Sequence, residues 1–106
     1  GLQHEEFWVL YLNNSNKVLY QLQLSKGGLT GTVVDVRLLL KKALDLLATG
    51  LILCHNHPSG NTSPSKADKN ITKKLQLAAA TLDIKVMDHL IIAENTYFSF
   101  ADEMLL

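Results

Sequence analysis

The apolar run Leu51-Ile52-Leu53-Cys54 leads straight into His55-Asn56-His57, and Pro58-Ser59-Gly60 follows at once. Proline lacks an amide donor and glycine tolerates unusual dihedrals, so a strand that carries the histidines must stop there. Side chains alternate faces along a strand, which sends His55 and His57 to the same side, about 6 to 7 Å apart at ~3.3 Å per residue. Two imidazoles at a strand end can converge on one ion. Ser63-Pro64-Ser65 reads as a helix start, with Pro tolerated in the first turn and Ser as a cap, and it puts Ser65 and Asp68 on one face of the first turn. The Asp68 carboxylate then aims back at the loop. Two histidines and one aspartate are three protein ligands, and a tetrahedral zinc held by three keeps its fourth position for water, the arrangement of a catalytic site.

Simpler readings compete with each of these. Ser65-Lys66-Ala67-Asp68 is also a capping box, in which both side chains satisfy helix N-terminal donors. The paired histidines at one parity favour the metal. Cys54 adjoins them but lies in the apolar run at the opposite parity, so a small buried core residue is expected, outside the site. His89, in the apolar run after Asp88, is expected to be a satisfied structural histidine in preference to a group orienting a ligand.

The elements that must position these residues follow from periodicity. Residues 7–12 are rich in aromatic and β-branched types, Asn13-Asn14-Ser15-Asn16 is a turn signal, and residues 17–24 form the second arm of a hairpin. Lys26-Gly27-Gly28 breaks the pattern. Residues 33–47 show helical spacing with Lys41, Lys42 and Asp45 on the outer face, and Gly50 is expected to close that helix. Residues 51–54 are wholly apolar, as a central strand should be. A second helix over 65–82, a strand over 84–93, a turn at Glu94-Asn95-Thr96 and a short strand over 97–100 complete the order β-β-α-β-α-β-β. Such alternation predicts a mixed sheet covered by helices, with a right-handed crossover through the first helix.

His55-x-His57, seven residues, Ser65, two residues and Asp68 is the spacing of the JAMM (MPN+) metalloprotease motif, and His-Asn-His-Pro-Ser-Gly with Pro-Ser-x-x-Asp resembles its bacterial RadC branch. The likeness extends over nearly the whole chain. Glu-x-Phe-x-Val-Leu-x-Leu-Asn at the start, Gly31-Thr32 before the first helix and Val-x-Asp-His-Leu-Ile-Ile near the end stand where RadC-like proteins have them. The resemblance implies the three-layer α/β/α MPN fold, cytidine-deaminase-like, with a mixed central sheet. It also implies zinc on His55, His57 and Asp68, a glutamate general base, and Ser65 donating a hydrogen bond to the oxyanion of an amide hydrolysis. Parity alone leaves the base open: Glu5 shares a face with Phe7, Val9 and Tyr11, while Glu6 shares one with Trp8, Leu10 and Leu12. The Glu-x-Phe register of the family selects Glu5. JAMM relatives cleave peptide or isopeptide bonds near the tails of ubiquitin-like proteins, so an extended peptide along a sheet edge is the expected substrate pose.

Composition narrows the alternatives. At 106 residues a single domain is expected, with one core that needs no staples. One cysteine excludes an internal disulfide and every multi-cysteine zinc pattern, and there is no leader-like or bilayer-length apolar run, which together predict a cytoplasmic protein without membrane contact. Ten basic and ten acidic residues cancel, whereas proteins that grip phosphates normally carry a basic excess. This argues against nucleic-acid contact through this domain, despite the DNA-repair label of RadC-like proteins; a helix-hairpin-helix segment outside these residues would carry it. The alternative reading is a non-catalytic or DNA-repair-associated accessory module. Contiguous His-Asn-His does not make an HNH nuclease, and neither the paired-cysteine motif of zinc deaminases nor a His-Glu-x-x-His helix occurs. A homodimer, through strand edges or the Met104-Leu105-Leu106 tail, is a further expectation.

Overall fold

The computed structural model describes residues 4–26 and 34–106. The Gly27-Gly28 break, the Gly31-Thr32 pair and Val33, the first residue of the expected helix, lie outside them. Strands β1 (Glu6–Leu12) and β2 (Val18–Lys26) form the hairpin, helix α1 (Val36–Leu46) follows, and β3 (Gly50–Asn56) comes next. Helix α2 (Lys66–Ala80), β4 (Lys85–Ile92) and β5 (Tyr97–Ser99) complete the expected element order. The sheet order is β2-β1-β3-β4-β5, with only β3 and β4 parallel among neighbours. It is the mixed sheet with helices that the family implies.

Local chemistry accounts for the boundaries. The Asn13 side chain accepts from Ser15 N at 2.9 Å and Lys17 N at 3.0 Å, and Asn16 takes φ 59, so the turn is built from asparagine chemistry. Asp35 caps α1 by accepting from Arg37 N and Leu38 N. The helix ends at Leu47, which adopts the left-handed conformation and returns its N–H to the carbonyls of Ala43 and Leu44. Gly50 therefore does not close α1, as expected from its type; it is the first residue of β3. A Cβ there would stand 3.4 Å from Met87 Cγ and 3.5 Å from Leu12 Cβ, ordinary contact distances, so strand packing does not demand a glycine at this position.

Both described helices pack into one core on one sheet face, so among the described residues a helix layer of the expected three-layer α/β/α arrangement is seen on that face alone. Phe7, Val9 and Tyr11 of β1, Leu51 and Leu53 of β3 and Val86 of β4 form a single core with Leu39 and Ala43 of α1 and Leu75 and Ala79 of α2. Tyr11 Oη donates to Leu39 O at 2.9 Å, tying β1 to α1. On the opposite face Cys54 pairs across from Trp8 and is half-buried, less enclosed than the core position expected for it; its burial still pushes the thiol up. Lys41 and Asp45 form the expected outer-face pair at 2.9 Å, worth a few tenths of a kcal/mol, while the Lys42 ammonium lies 4.2 Å from the Tyr20 ring centre. Among the described residues no helix is long and apolar enough to cross a membrane.

Candidate metal centre

β3 is interior to the sheet, and its last turn of side chains brings His55 into the core face at the strand's end. His57 follows beyond Asn56, its N–H bonded to Ile92 O at 3.0 Å. Gly60 at φ +87 lets the loop curl back so that Asn61 O lies 2.7 Å from His57 Nδ1. A carbonyl only accepts, so Nδ1 carries a proton, and the neutral form of the ring has its lone pair at Nε2.

That lone pair meets His55 Nε2 at 3.0 Å and Asp68 Oδ2 at 3.2 Å, while Asp68 Oδ1 stands 3.1 Å from His55 Nε2. The two competing readings of Asp68 turn out to be compatible. Ser65 caps α2, its Oγ accepting from Asp68 N at 3.0 Å, and Ser65 N donates to Asp68 Oδ2 at 2.8 Å. The capping box thus orients the carboxylate that faces the histidines. Burial alone would raise the Asp68 carboxyl, but hydrogen bonds from His55 and the Ser65 backbone outweigh it and hold the group well below the usual carboxylate range. An ionised carboxylate and an imidazole lone pair so close require a proton or a cation between them. His55, His57 and Asp68 form the group that could hold a metal ion, and tetrahedral zinc, with bonds of about 2.0–2.1 Å, spaces its ligands roughly 3.3 Å apart. The donor set and its spacing fit zinc.

Phe7 is opposite His55 at the end of the β1–β3 ladder, and Glu5 shares the parity of Phe7, so the register is in keeping with the family's choice of Glu5. Glu6 belongs to the other face, where its Oε1 accepts from Trp8 Nε1 at 3.0 Å. Asn56, between the two histidines, brackets Glu5: its Oδ1 accepts from Glu6 N at 2.6 Å and its Nδ2 donates to His4 O at 3.0 Å. The chain on both sides of Glu5 is therefore tied to the end of β3.

Behind the ligands lies a second group of residues. His55 Nδ1 is 2.8 Å from His89 Nε2, and His89 Nδ1 is 2.6 Å from Thr72 Oγ1. Phe7 stacks on His55 with ring centres 5.8 Å apart, and Phe100 stacks on His89 at 4.6 Å. Asp88 holds Phe100 there, accepting from His89 N at 2.7 Å, Ala101 N at 3.0 Å and Ser99 Oγ at 2.6 Å. Burial, with the neighbouring His55 next, pushes His89 down to about 3 against the opposing pull of the Asp68 and Asp88 carboxylates. His89 is thus both the buried histidine expected from its strand and a neighbour of a ligand. Thr72 was not singled out from sequence, although its place four residues after Asp68 put it on the same helix face.

The family model for the RadC-like JAB domain matches residues 1–105. A UPF0758 protein of Flavobacterium johnsoniae is 66% identical over 102 residues, which is 96% of this chain and 44% of that relative. One from Porphyromonas gingivalis is 50% identical over 99% of this chain and 47% of its own length. UPF0758 protein YeeS of Escherichia coli is 48% identical over all of this chain and 72% of its own. The chain therefore spans less than half the length of the first two relatives. With its fold, its His-His-Asp group and this match in hand, the chain belongs to the RadC-like JAB domain family.

Proposed function

We propose that this domain is a zinc-dependent hydrolase of amide bonds, a metallopeptidase or isopeptidase of the JAMM type. The observation that carries the reading is the convergence of His55 Nε2, His57 Nε2 and the Asp68 carboxylate within about 3 Å of one another, at the end of β3 where Phe7 pairs with His55. When bound, zinc would supply Lewis acidity, acidifying a water towards a pKa of ~7 and polarising the scissile carbonyl. Glu5 takes up the proton of the attacking water and returns it to the departing amine. Ser65 accepts from Asp68 N with a lone pair, which leaves its O–H to donate to the developing oxyanion. Asn56 keeps Glu5 at the strand end by gripping the backbone on either side of it. The substrate class is an extended peptide or an isopeptide-linked tail.

Elemental analysis of protein purified without chelator or affinity metal tests this, with His57→Ala and Asp68→Ala alongside. About one zinc per chain, lost in both variants, is the expected result, followed by hydrolysis of peptide or isopeptide substrates that Glu5→Gln abolishes and Glu6→Gln does not. A wild type that neither contains nor takes up zinc would overturn the reading and favour the accessory-module alternative.

A further inference from the structure

Thr72 Oγ1 makes two short contacts, 2.7 Å to Asp68 O and 2.6 Å to His89 Nδ1. Each contact needs a proton between its two heavy atoms, because lone pairs facing one another at that distance repel. The hydroxyl has one proton and the carbonyl has none. Thr72 must therefore donate to Asp68 O, and the proton between Thr72 and His89 must belong to His89 Nδ1. His89 is fully buried and its two ring nitrogens face a hydroxyl and another imidazole, whereas the Asp68 carboxylate lies on the His55 side, so His89 carries a single ring proton and Nε2 is bare. The 2.8 Å contact from His89 Nε2 to His55 Nδ1 is then closed by a proton on His55 Nδ1, which leaves Nε2 as the His55 nitrogen that faces His57 and Asp68.

We propose that Thr72 and His89 are positioning residues that hold a proton on His55 Nδ1, so that Nε2 is the nitrogen available to a cation shared with His57 and Asp68. The direction runs Asp68 carbonyl, Thr72 hydroxyl, His89 imidazole, His55 imidazole, back to the Asp68 carboxylate. A closed circuit of this kind makes the helix turn that carries the carboxylate ligand also set the protonation pattern of a histidine ligand on the neighbouring strand. The His57 side has a simpler device, a single backbone carbonyl at Asn61. Phe7 and Phe100, stacked on His55 and His89, oppose the ring rotations that would exchange the nitrogens.

The consequence for metal binding rests on the zinc reading above, but the proton arrangement does not, and the experiment separates the two. Nitrogen-15 NMR of histidine-labelled, metal-free protein at about pH 8, above the ordinary histidine range, reads each ring nitrogen directly. The expected spectrum has His89 protonated at Nδ1 and bare at Nε2, and His55 protonated at Nδ1. In Thr72→Val, which keeps the side-chain shape and removes the hydroxyl, the His89 proton moves to Nε2 and His55 Nδ1 loses its own. Zinc affinity should then fall about 10- to 100-fold, the usual loss when a partner of a metal-bound histidine is removed. Thr72→Ser should restore both the spectrum and the affinity. A wild-type spectrum with His89 protonated at Nε2 overturns the proposal without any variant, as does a folded Thr72→Val with unchanged tautomers and affinity. If the wild type takes up no zinc, the hydrolase reading falls and the tautomer comparison still decides this one.

Discussion

Along β1 the helix-covered face changes character within four residues. At the Tyr11 end, Tyr11, Leu51, Leu39 and Ala43 are fully buried, and the polar tie is the Tyr11 hydroxyl on Leu39 O. At the Phe7 end, about 13 Å away at ~3.3 Å per residue, Phe7 packs on a chain of polar groups formed by His55, His89, Thr72 and Asp68. The first end derives stability from burial, roughly 1.5–3 kcal/mol for each large apolar side chain. The second buries imidazoles whose hydrogen bonds contribute only about 0.5–1.5 kcal/mol net each. One end holds the fold together while the other holds a constellation in place, and the same strands connect them.

Removing the acid–base group should have the largest effect and leave stability untouched. Glu5→Gln is expected to lower kcat by about 10²–10⁴-fold, the usual worth of a general base, with zinc content and denaturation midpoint at wild-type values. Glu6→Gln, on the opposite face, should change the rate by no more than a few-fold. A large loss in Glu6→Gln with Glu5→Gln active would break the assignment of faces.

The reciprocal change is at the apolar end. Leu51→Ala is expected to destabilise by about 2–5 kcal/mol in urea unfolding, since the residue is fully enclosed. Zinc affinity measured on the folded fraction should be unchanged. If affinity fell in step with stability, the two ends would be one unit and the comparison would fail.

Metal should convert the polar end into a stabilising one. Free zinc at about 100 times its Kd is expected to raise unfolding free energy by ~2.7 kcal/mol, with no gain in His57→Ala. A zinc-independent melting curve in the wild type would contradict this.

The ligands were legible because strand parity and helix spacing are local: His55 and His57 two apart, Ser65 and Asp68 three apart. The choice of Glu5 over Glu6 was open on parity and came only from the Glu-x-Phe resemblance, because the face each glutamate takes depends on the pairing of Phe7 with His55, 48 residues away. His89 and Thr72 needed two further long-range facts, the parallel pairing of Leu53 with His89 and the seating of α2 over β4. Asn56 drew no role from sequence, and only the approach of β1 gives its amide something to hold. Gly50 was misjudged because α1 already ends at Leu47, a non-glycine residue in the left-handed conformation that residue type does not announce.

The smallest expected effect probes the single polar tie of the apolar end. Burial, with the Tyr20 phenol adding to it, pushes Tyr11 up to about 12, against an ordinary value near 10. Between those values the unfolded chain releases the phenol proton while the folded protein keeps it, so the unfolded state binds fewer protons and stability falls as pH rises through that window. Below about pH 10 the contribution is fully present. Tyr11→Phe should therefore lose about 1 kcal/mol at neutral pH, the net worth of one buried hydrogen bond, and should show a shallower decline between about pH 10 and 12. Urea midpoints for both proteins across that range make the check. Equal slopes would mean that alkali acts elsewhere in the fold, and that the Tyr11 end owes nothing to its hydroxyl beyond the contact with Leu39 O.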